Sequence, residues 1–405
     1  MCNNIIMKIN LIRYANSMDP NAQYLKDSEQ FLEDINNELF EDDLELVEGV
    51  NDPVYSIIFI ETGGSEQKFV QDIDKIKQPI ILLSDCKNNS LPACFEIKTY
   101  LDINKIDCAF LFGTEIECAE QIKRISEIFK GANKIKGTRL GVIGKPSDWL
   151  IASQVNYEDV KKKFNVELID IPIEELKEEV DKEILPNIPR EKELRKLAYD
   201  EKVFEGALKI YSGLKRIIEK YNLVGFTLRC FDLINEYKNT ACLAYAILNE
   251  EGYLAACEGD IPSLLTMQFI KATTGRPSFQ VNPSKISIKD KTILFAHCTL
   301  PLNMCNKIEL MTHYESGLGI GVRGSLDLGS VTITKITPDL KNMLCISGEI
   351  IENLTLDNYC RSQINVKVDG ENLFEFLKEP FGNHVLISYG DSVDELLTAF
   401  HFFID

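Results

Sequence analysis

Positive charge is scarce in this chain of 405 residues, and so are long apolar runs. Its 63 acidic residues outnumber 44 lysines and arginines and leave a net charge of −19. Nucleic acids and anionic membranes bind basic surfaces, so we expect neither as a partner. No apolar run is long enough to cross a bilayer, and the first residues do not form a secretory leader. We therefore expect a cytoplasmic protein.

The motifs of several enzyme classes are missing as well. The 12 cysteines are scattered without a C-x-x-C pair, which indicates reduced and mostly buried thiols. Three glycine-containing segments, at 61–65, 141–146 and 317–321, lack the partners and the strand-glycine-helix context of a phosphate-binding loop. There is no nucleophile elbow and no Ser-His-Asp order. The sequence therefore does not indicate a nucleotide triphosphatase or a serine hydrolase.

What is present is a regular succession of short apolar segments and helical ones. Continuous apolar strands separated by helices are typical of parallel sheets covered on both faces. We expect an α/β fold with two Rossmann-like, doubly wound domains, at 1–136 and 137–290, the second including a strand at 278–282. From about residue 291 strands follow one another without long helices, so 291–405 is predicted as a β-rich, antiparallel barrel-like domain that ends in a helix at 392–402.

Polar side chains stand beside three of the predicted strands. Glu258 and Asp260 follow an apolar strand, at the edge where parallel sheets collect functional groups. His297 and His384, two of only four histidines, flank strands of the last domain. A carboxylate and two imidazoles are the parts of a divalent metal site. Each residue also has a structural interpretation: Asp260 as the cap of the next helix, and the histidines as hydrogen-bonded core residues.

Five short segments together resemble the L-fucose/L-arabinose isomerase superfamily, and above all its shorter fucose isomerase-like members. They are 144–149 (GKPSDW), 257–260 (CEGD), 296–299 (AHCT), 360–363 (CRSQ) and 382–384 (GNH). The resemblance covers essentially the whole chain and implies the same three-domain architecture. It also implies an enzyme that isomerises aldoses to ketoses with a bound divalent metal, usually Mn²⁺. Such enzymes are commonly trimers or hexamers, so a homo-oligomer is expected.

The resemblance implies roles for individual residues. Glu258 matches the first acidic metal ligand, which also serves in proton transfer, while His297 and His384 match histidine ligands. The fucose-type pattern has a second acidic ligand 24 residues after the first, and here that position is Asn282. An amide oxygen is a weaker ligand for a hard cation than a carboxylate, and as a structural alternative Asn282 simply forms a turn before Pro283. We include Asn282 among both the metal and the catalytic residues.

Four further residues are predicted to contact the substrate: Trp149, Asp232, Asp260 and His313. Trp149, the single tryptophan, offers an aromatic face to a sugar, and a core or interface position is its alternative.

The predicted function is a metal-dependent ketol isomerase that moves a proton between C1 and C2 of an open-chain sugar or sugar derivative. Asn282 motivates the alternative of a non-catalytic sugar-binding or regulatory relative. A periplasmic-type solute-binding protein would share the two parallel sheets, but that alternative does not account for the β-rich last third of the chain.

Overall fold

A computed structural model describes residues 6–16, 23–51, 53, 55–378 and 381–401 of the chain. They belong to two compact units, Met1–Lys130 and Gly131–Asp405. Within the described residues no helix has both the length and the apolar character needed to cross a membrane. Of the 11 described cysteines, seven are buried, which agrees with the prediction of mostly buried thiols.

The first unit is built on a five-stranded parallel sheet in the order β2-β1-β3-β4-β5. Its central strands β3 and β4 are buried along their whole length, as their unbroken apolar sequences SIIFI and IILLS require. The elements are β1 Met7–Tyr14, α1 Gln23–Phe40, β2 Leu44–Glu48, β3 Ser56–Ile60, α2 Glu66–Asp72, β4 Ile80–Ser84, α3 Ser90–Ile103, β5 Cys108–Phe112 and α4 Glu115–Asn133.

The second unit begins with a four-stranded parallel sheet in the order β7-β6-β8-β9. Helices α8 and α10 bury apolar faces in the core beside this sheet. The elements are β6 Arg139–Ile143, α5 Tyr157–Phe164, β7 Glu167–Ile171, α6 Ile173–Val180, α7 Glu191–Leu197, α8 Glu201–Tyr221, β8 Gly225–Leu228, α9 Phe231–Tyr237, α10 Cys242–Glu250, β9 Leu254–Ala256 and α11 Ile261–Thr274.

A closed, antiparallel six-stranded barrel completes the second unit, with its strands in the circular order β10-β11-β16-β15-β14-β17. A separate hairpin, β12-β13, precedes β14. The elements are β10 Phe279–Ser287, β11 Thr292–His297, β12 Lys307–Met311, β13 Gly321–Ser325, β14 Gly329–Ile336, β15 Met343–Leu354, β16 Ser362–Lys367, α12 Gly370–Lys378, β17 Val385–Tyr389 and α13 Val393–His401.

The predicted α/β class and the antiparallel barrel are confirmed, with one correction. The segment 278–282 is predicted in the second parallel sheet, but residues 279–282 belong to β10 and pair with β11 and β17 in the barrel. Asn282 accordingly lies inside β10, opposite Ala296, and not at a strand end. A bulge follows between Pro283 and Lys285, and proline is tolerated beside a bulge because the ladder is disrupted there. The Rossmann-like topology and the borders of the three predicted domains remain predictions, and residue 402 of the predicted last helix lies outside the described residues.

Candidate active site

The turn after β9 presents Glu258 in an unusual backbone conformation. Glu258 has φ 64° and Gly259 has φ 77°, both in the left-handed region. For a residue with a side chain this conformation costs about 1–2 kcal/mol, and such strain is concentrated at functional sites. A Cβ on Gly259 would lie 2.6 Å from the Lys145 carbonyl oxygen and from Pro146 Cα. The close approach is held by the Ser147 N–H, which donates to the Glu258 carbonyl at 2.9 Å. Two of the motif segments, 144–149 and 257–260, are therefore packed against each other.

Asp260 joins three elements from a fully buried position. Its side chain caps α11 by accepting from the Ser263 N–H at 2.9 Å, so the predicted capping role is confirmed. The ammonium of Lys335, on β14, donates to both carboxylate oxygens at 3.1 and 3.0 Å. The Nδ1 atom of His384 lies 2.9 Å from Oδ2 of the same carboxylate. Asp260 thus fixes the position of the His384 ring relative to the end of β9.

His384 turns its second ring nitrogen towards Glu258. Because Nδ1 is paired with Asp260, Nε2 is the ring nitrogen left for another ligand, and among the described residues it is buried without a hydrogen-bond partner. It lies 3.5 Å from Glu258 Oε1. A buried nitrogen of this kind is costly unless something binds it. Metal-ligating histidines usually hydrogen-bond a carboxylate through the ring nitrogen that does not bind the metal, and Asp260 is such a carboxylate for His384.

A second imidazole and an indole complete the surroundings of Glu258. His297 Nε2 lies 3.7 Å from Glu258 Oε1, and the centroids of the His297 and His384 rings are 5.3 Å apart. His297 Nδ1 is 3.0 Å from Thr299 Oγ1, so a hydrogen bond also fixes the orientation of this ring. Trp149 Nε1 donates to Glu258 Oε2 at 2.7 Å. One carboxylate oxygen therefore faces the two imidazoles, while the other is engaged by the indole.

The charges of the cluster are strongly coupled. Burial alone would raise the pKa of Glu258, but the imidazoles of His384 and His297 outweigh it and hold this pKa below its usual range. Burial would likewise lower the pKa of His384, yet Glu258 and Asp260 raise it to about 9. Burial lowers the pKa of His297. The two carboxylates thus create a strongly negative environment at the His384 ring, which favours a proton or a metal cation there.

The residues present fit a divalent cation. Glu258 Oε1 lies 3.7 Å from His297 Nε2 and 3.5 Å from His384 Nε2, and the His384 nitrogen has no hydrogen-bond partner among the described residues. Oxygen and imidazole donors suit Mn²⁺ and other first-row divalent ions. The sulfur of Cys257 lies within 4.8 Å of ligand atoms of Glu258 and His297, and it adds a soft donor to the same cluster.

The cluster opens into a cavity of about 440 Å³ within the second unit. This is a size typical of small-molecule sites. Five of the predicted site residues line it: Trp149, Glu258, Asn282, His297 and His313. Trp149 is 51% exposed and makes an edge-to-face contact with Phe231, which in turn contacts His313 in the same manner.

Three predicted site residues do not line the cavity. Asp260 and His384 are fully buried behind Glu258. Asp232 pairs with Arg229 at 3.2 Å, and the same guanidinium binds Asp148. The structure thus places Asp232 and Asp260 in ion pairs, and neither is on the cavity wall.

Several residues of the site were not identified from the sequence. Lys335 is 1% exposed, and its one local signal is that it shares a face of β14 with Val331 and Ile333. Gln280 ties the end of β9 to the barrel because its Oε1 accepts from the Cys257 N–H at 2.7 Å. Glu315 lines the cavity from the loop between β12 and β13. The nearest signal for Glu315 is its position two residues after His313, a predicted substrate contact.

Three proteins named sulfoquinovose isomerase are similar to this chain. Those of Priestia aryabhattai and Priestia megaterium are 22% identical over 365 residues, which cover 83% of this chain and 81% of each relative. That of a Clostridium species is 23% identical over 208 residues, 47% of this chain and 45% of the relative. No family model matches the sequence. The similarity therefore extends over most of the chain, and the relatives carry the name of a sugar isomerase.

Proposed function

We propose that this chain is an aldose-ketose isomerase that acts on an open-chain sugar or sugar derivative and uses a divalent cation. The observation that carries the proposal is the buried Nε2 of His384, which has no hydrogen-bond partner among the described residues and lies 3.5 Å from Glu258 Oε1, while Glu258 and His297 line a cavity of about 440 Å³. The sulfoquinovose isomerases that resemble the chain over most of its length support the same class of reaction.

Glu258, His297 and His384 would hold the cation, and Asn282 is the proposed fourth protein ligand. When bound, Mn²⁺ or a similar ion stabilises negative charge on the sugar oxygens during isomerisation. The resemblance of the sequence to the fucose/arabinose isomerase superfamily supports manganese. The second ring nitrogens of both histidines are held by Asp260 and Thr299, which would keep the ligand atoms in place.

In the proposed reaction the carboxylate of Glu258 takes the proton from C2 of the aldose and returns it to C1. The accompanying proton shift between O2 and O1 converts the aldehyde to the ketone, so the sugar is isomerised without any outside oxidant. The low pKa keeps Glu258 ionised at neutral pH and therefore able to accept a proton. Trp149 fixes the carboxylate through Oε2 and offers its exposed ring to the sugar. His313, on the cavity wall, is proposed as a substrate contact.

The test is the exchange of the C2 proton of aldoses in D₂O, followed by ¹H NMR, together with elemental analysis of the purified protein. We expect one divalent ion per chain, with Mn²⁺ supporting exchange after chelation and reconstitution. Glu258→Gln keeps the shape of the side chain but removes its charge, so exchange should fall by at least about 100-fold. Glu352→Gln, a change at an exposed acid of β15, is the matched control and should keep full activity.

Two outcomes would contradict the proposal. Normal C2-proton exchange by the Glu258→Gln variant would show that Glu258 does not take part in the reaction. Sugar binding that does not change on chelation, without any C2 exchange, would instead support a sugar-binding relative without catalysis.

A trimeric or hexameric assembly also stays a prediction, which light scattering of the purified protein will test.

A further inference from the structure

Apart from the proposed cation at Glu258 and the histidines, the cavity wall offers no positive group to an anionic ligand. Among the described residues that line it, two are acids, Glu258 and Glu315, and none is a lysine or an arginine. Its other polar groups include neutral amides and a hydroxyl, supplied by Asn358, Asn383 and Ser284. Amides and hydroxyls match sugar hydroxyl groups, whereas sulfonates, phosphates and carboxylates are bound by guanidinium and ammonium groups.

The guanidinium groups near the cavity are already engaged. Arg229 donates to both oxygens of Asp148 at 3.0 and 2.7 Å and to Asp232 at 3.2 Å. Arg361 donates to the carbonyl oxygen of Thr312 at 2.7 Å and to its hydroxyl at 3.1 Å, with its guanidinium over the Tyr314 ring. Neither arginine belongs to the cavity wall, so neither side chain is presented to a ligand there.

His313, one of two histidines on this wall, supplies no charge at neutral pH. Burial lowers the pKa of His313 to about 4, so its ring is neutral under ordinary assay conditions. The Ser316 hydroxyl is 3.1 Å from its Nδ1, and the Gly317 N–H donates to its carbonyl at 2.9 Å. These bonds give the 312–320 loop a defined shape, and Glu315 is on that loop.

Glu315 lies in the electrostatic field of the proposed catalytic centre. Burial, and after it the charge of Glu258, raise the pKa of Glu315. Because Glu315 lines the cavity, its carboxylate shares that cavity with any anion bound there. Two like charges in a partly buried site repel each other with an energy that water does not fully screen.

We propose that Glu315 is a specificity residue that makes the cavity select sugars with an uncharged far end and reject sugars with an anionic group there. The proposal rests on the sugar isomerase function proposed above. It distinguishes this chain from its relatives, because sulfoquinovose, which their name contains, carries a sulfo group. The selectivity follows from repulsion by Glu315 together with the absence of a cationic side chain on the described wall.

The test compares sulfoquinovose with quinovose, which is the same sugar without the sulfo group. The C2 exchange rates at pH 8 give a ratio of kcat/KM for the two sugars, and quenching of Trp149 fluorescence gives the ratio of their dissociation constants. We expect the unmodified protein to prefer quinovose by both measures. Glu315→Gln should reduce that preference by about tenfold, the size expected for two unit charges in one partly buried cavity. Glu315→Lys should reduce it further, while the control Glu352→Gln should leave it unchanged.

Preference of the unmodified protein for sulfoquinovose, or an unchanged ratio in Glu315→Gln, would overturn the proposal. A cation donated by a neighbouring copy of the chain would produce the first of these results. The failure of the isomerase proposal is a separate result, because binding without exchange leaves the ratio of dissociation constants measurable. That ratio then decides the role of Glu315 by itself.

Discussion

Lys335 gives the sharpest test of how the site is held together. Its side chain is 1% exposed, and its ammonium donates to both oxygens of Asp260 and, at 2.6 Å, to the Ser263 hydroxyl. Lys335→Met keeps most of the apolar volume but removes the positive charge. The buried carboxylate of Asp260 then loses the partner that offsets its desolvation.

The expected loss is large for a single substitution. Removing one member of a buried ion pair destabilises a protein by about 3–5 kcal/mol, because the remaining charge is left uncompensated. Asp260 keeps its bonds to the Ser263 N–H and to His384, so we expect a value near the lower limit, about 3 kcal/mol. Urea unfolding followed by Trp149 fluorescence measures it, since the single tryptophan lies in the same unit as Lys335.

The matched control is Lys367→Met, which makes the same chemical change at an exposed position of the barrel strand β16. We expect its free energy of unfolding to stay within about 0.5 kcal/mol of the original. The double variant Lys335→Met with Asp260→Asn should be less destabilised than the two single effects predict together, because it leaves no unpaired charge. The reasoning would be refuted if Lys335→Met cost no more than Lys367→Met.

Two further substitutions test the cavity wall and the turn after β9. Trp149→Phe removes the hydrogen bond to Glu258 Oε2, and C2-exchange assays should show kcat/KM reduced by about tenfold or more, as expected for a bond to a charged group. Gly259→Ala should lower the free energy of unfolding in urea by about 2–3 kcal/mol, because the new methyl group meets Lys145 and the backbone strain is added. Gly275→Ala is its control, since Gly275 has φ 70° but no atom within 4 Å, and it should cost only about 1 kcal/mol. Equal losses in the two glycine variants would show that the close contact is unimportant.

The classes of sheet could be predicted from the sequence because their signals are local. Unbroken apolar strands with helices between them predict parallel sheets, and closely spaced strands without helices predict an antiparallel barrel. The first strand of the barrel could not be assigned in the same way. Residues 278–282 follow a helix just as β8 follows α8, and a short apolar strand has the same pattern in either kind of sheet. Only its pairing with β11 and β17 decides the assignment.

Much of the candidate site was also selected from the sequence, but not the contacts that organise it. Glu258, His297 and His384 stand beside strands, and the structure brings their side chains together. The bond from Trp149 to Glu258 spans 109 positions of the chain, and no local pattern encodes it. Lys335 was missed for the same reason, because its partner Asp260 is 75 positions away and no local pattern pairs the two.

The two parts of the second unit contribute different halves of the site, and neither half is complete alone. The parallel sheet supplies Glu258 on a turn whose backbone is strained. The barrel supplies both imidazoles, and through Gln280 and Lys335 it also fixes the residues on either side of Glu258. Strain of about 1–2 kcal/mol persists only where the surroundings enforce it, and here both parts supply the enforcing contacts. Ser147, from the segment after β6, holds the Glu258 carbonyl, while Gln280 and Lys335 of the barrel hold the residues on either side. The barrel strands that supply these contacts also carry or adjoin the two histidines, which couples the position of the proposed base to that of the proposed metal ligands.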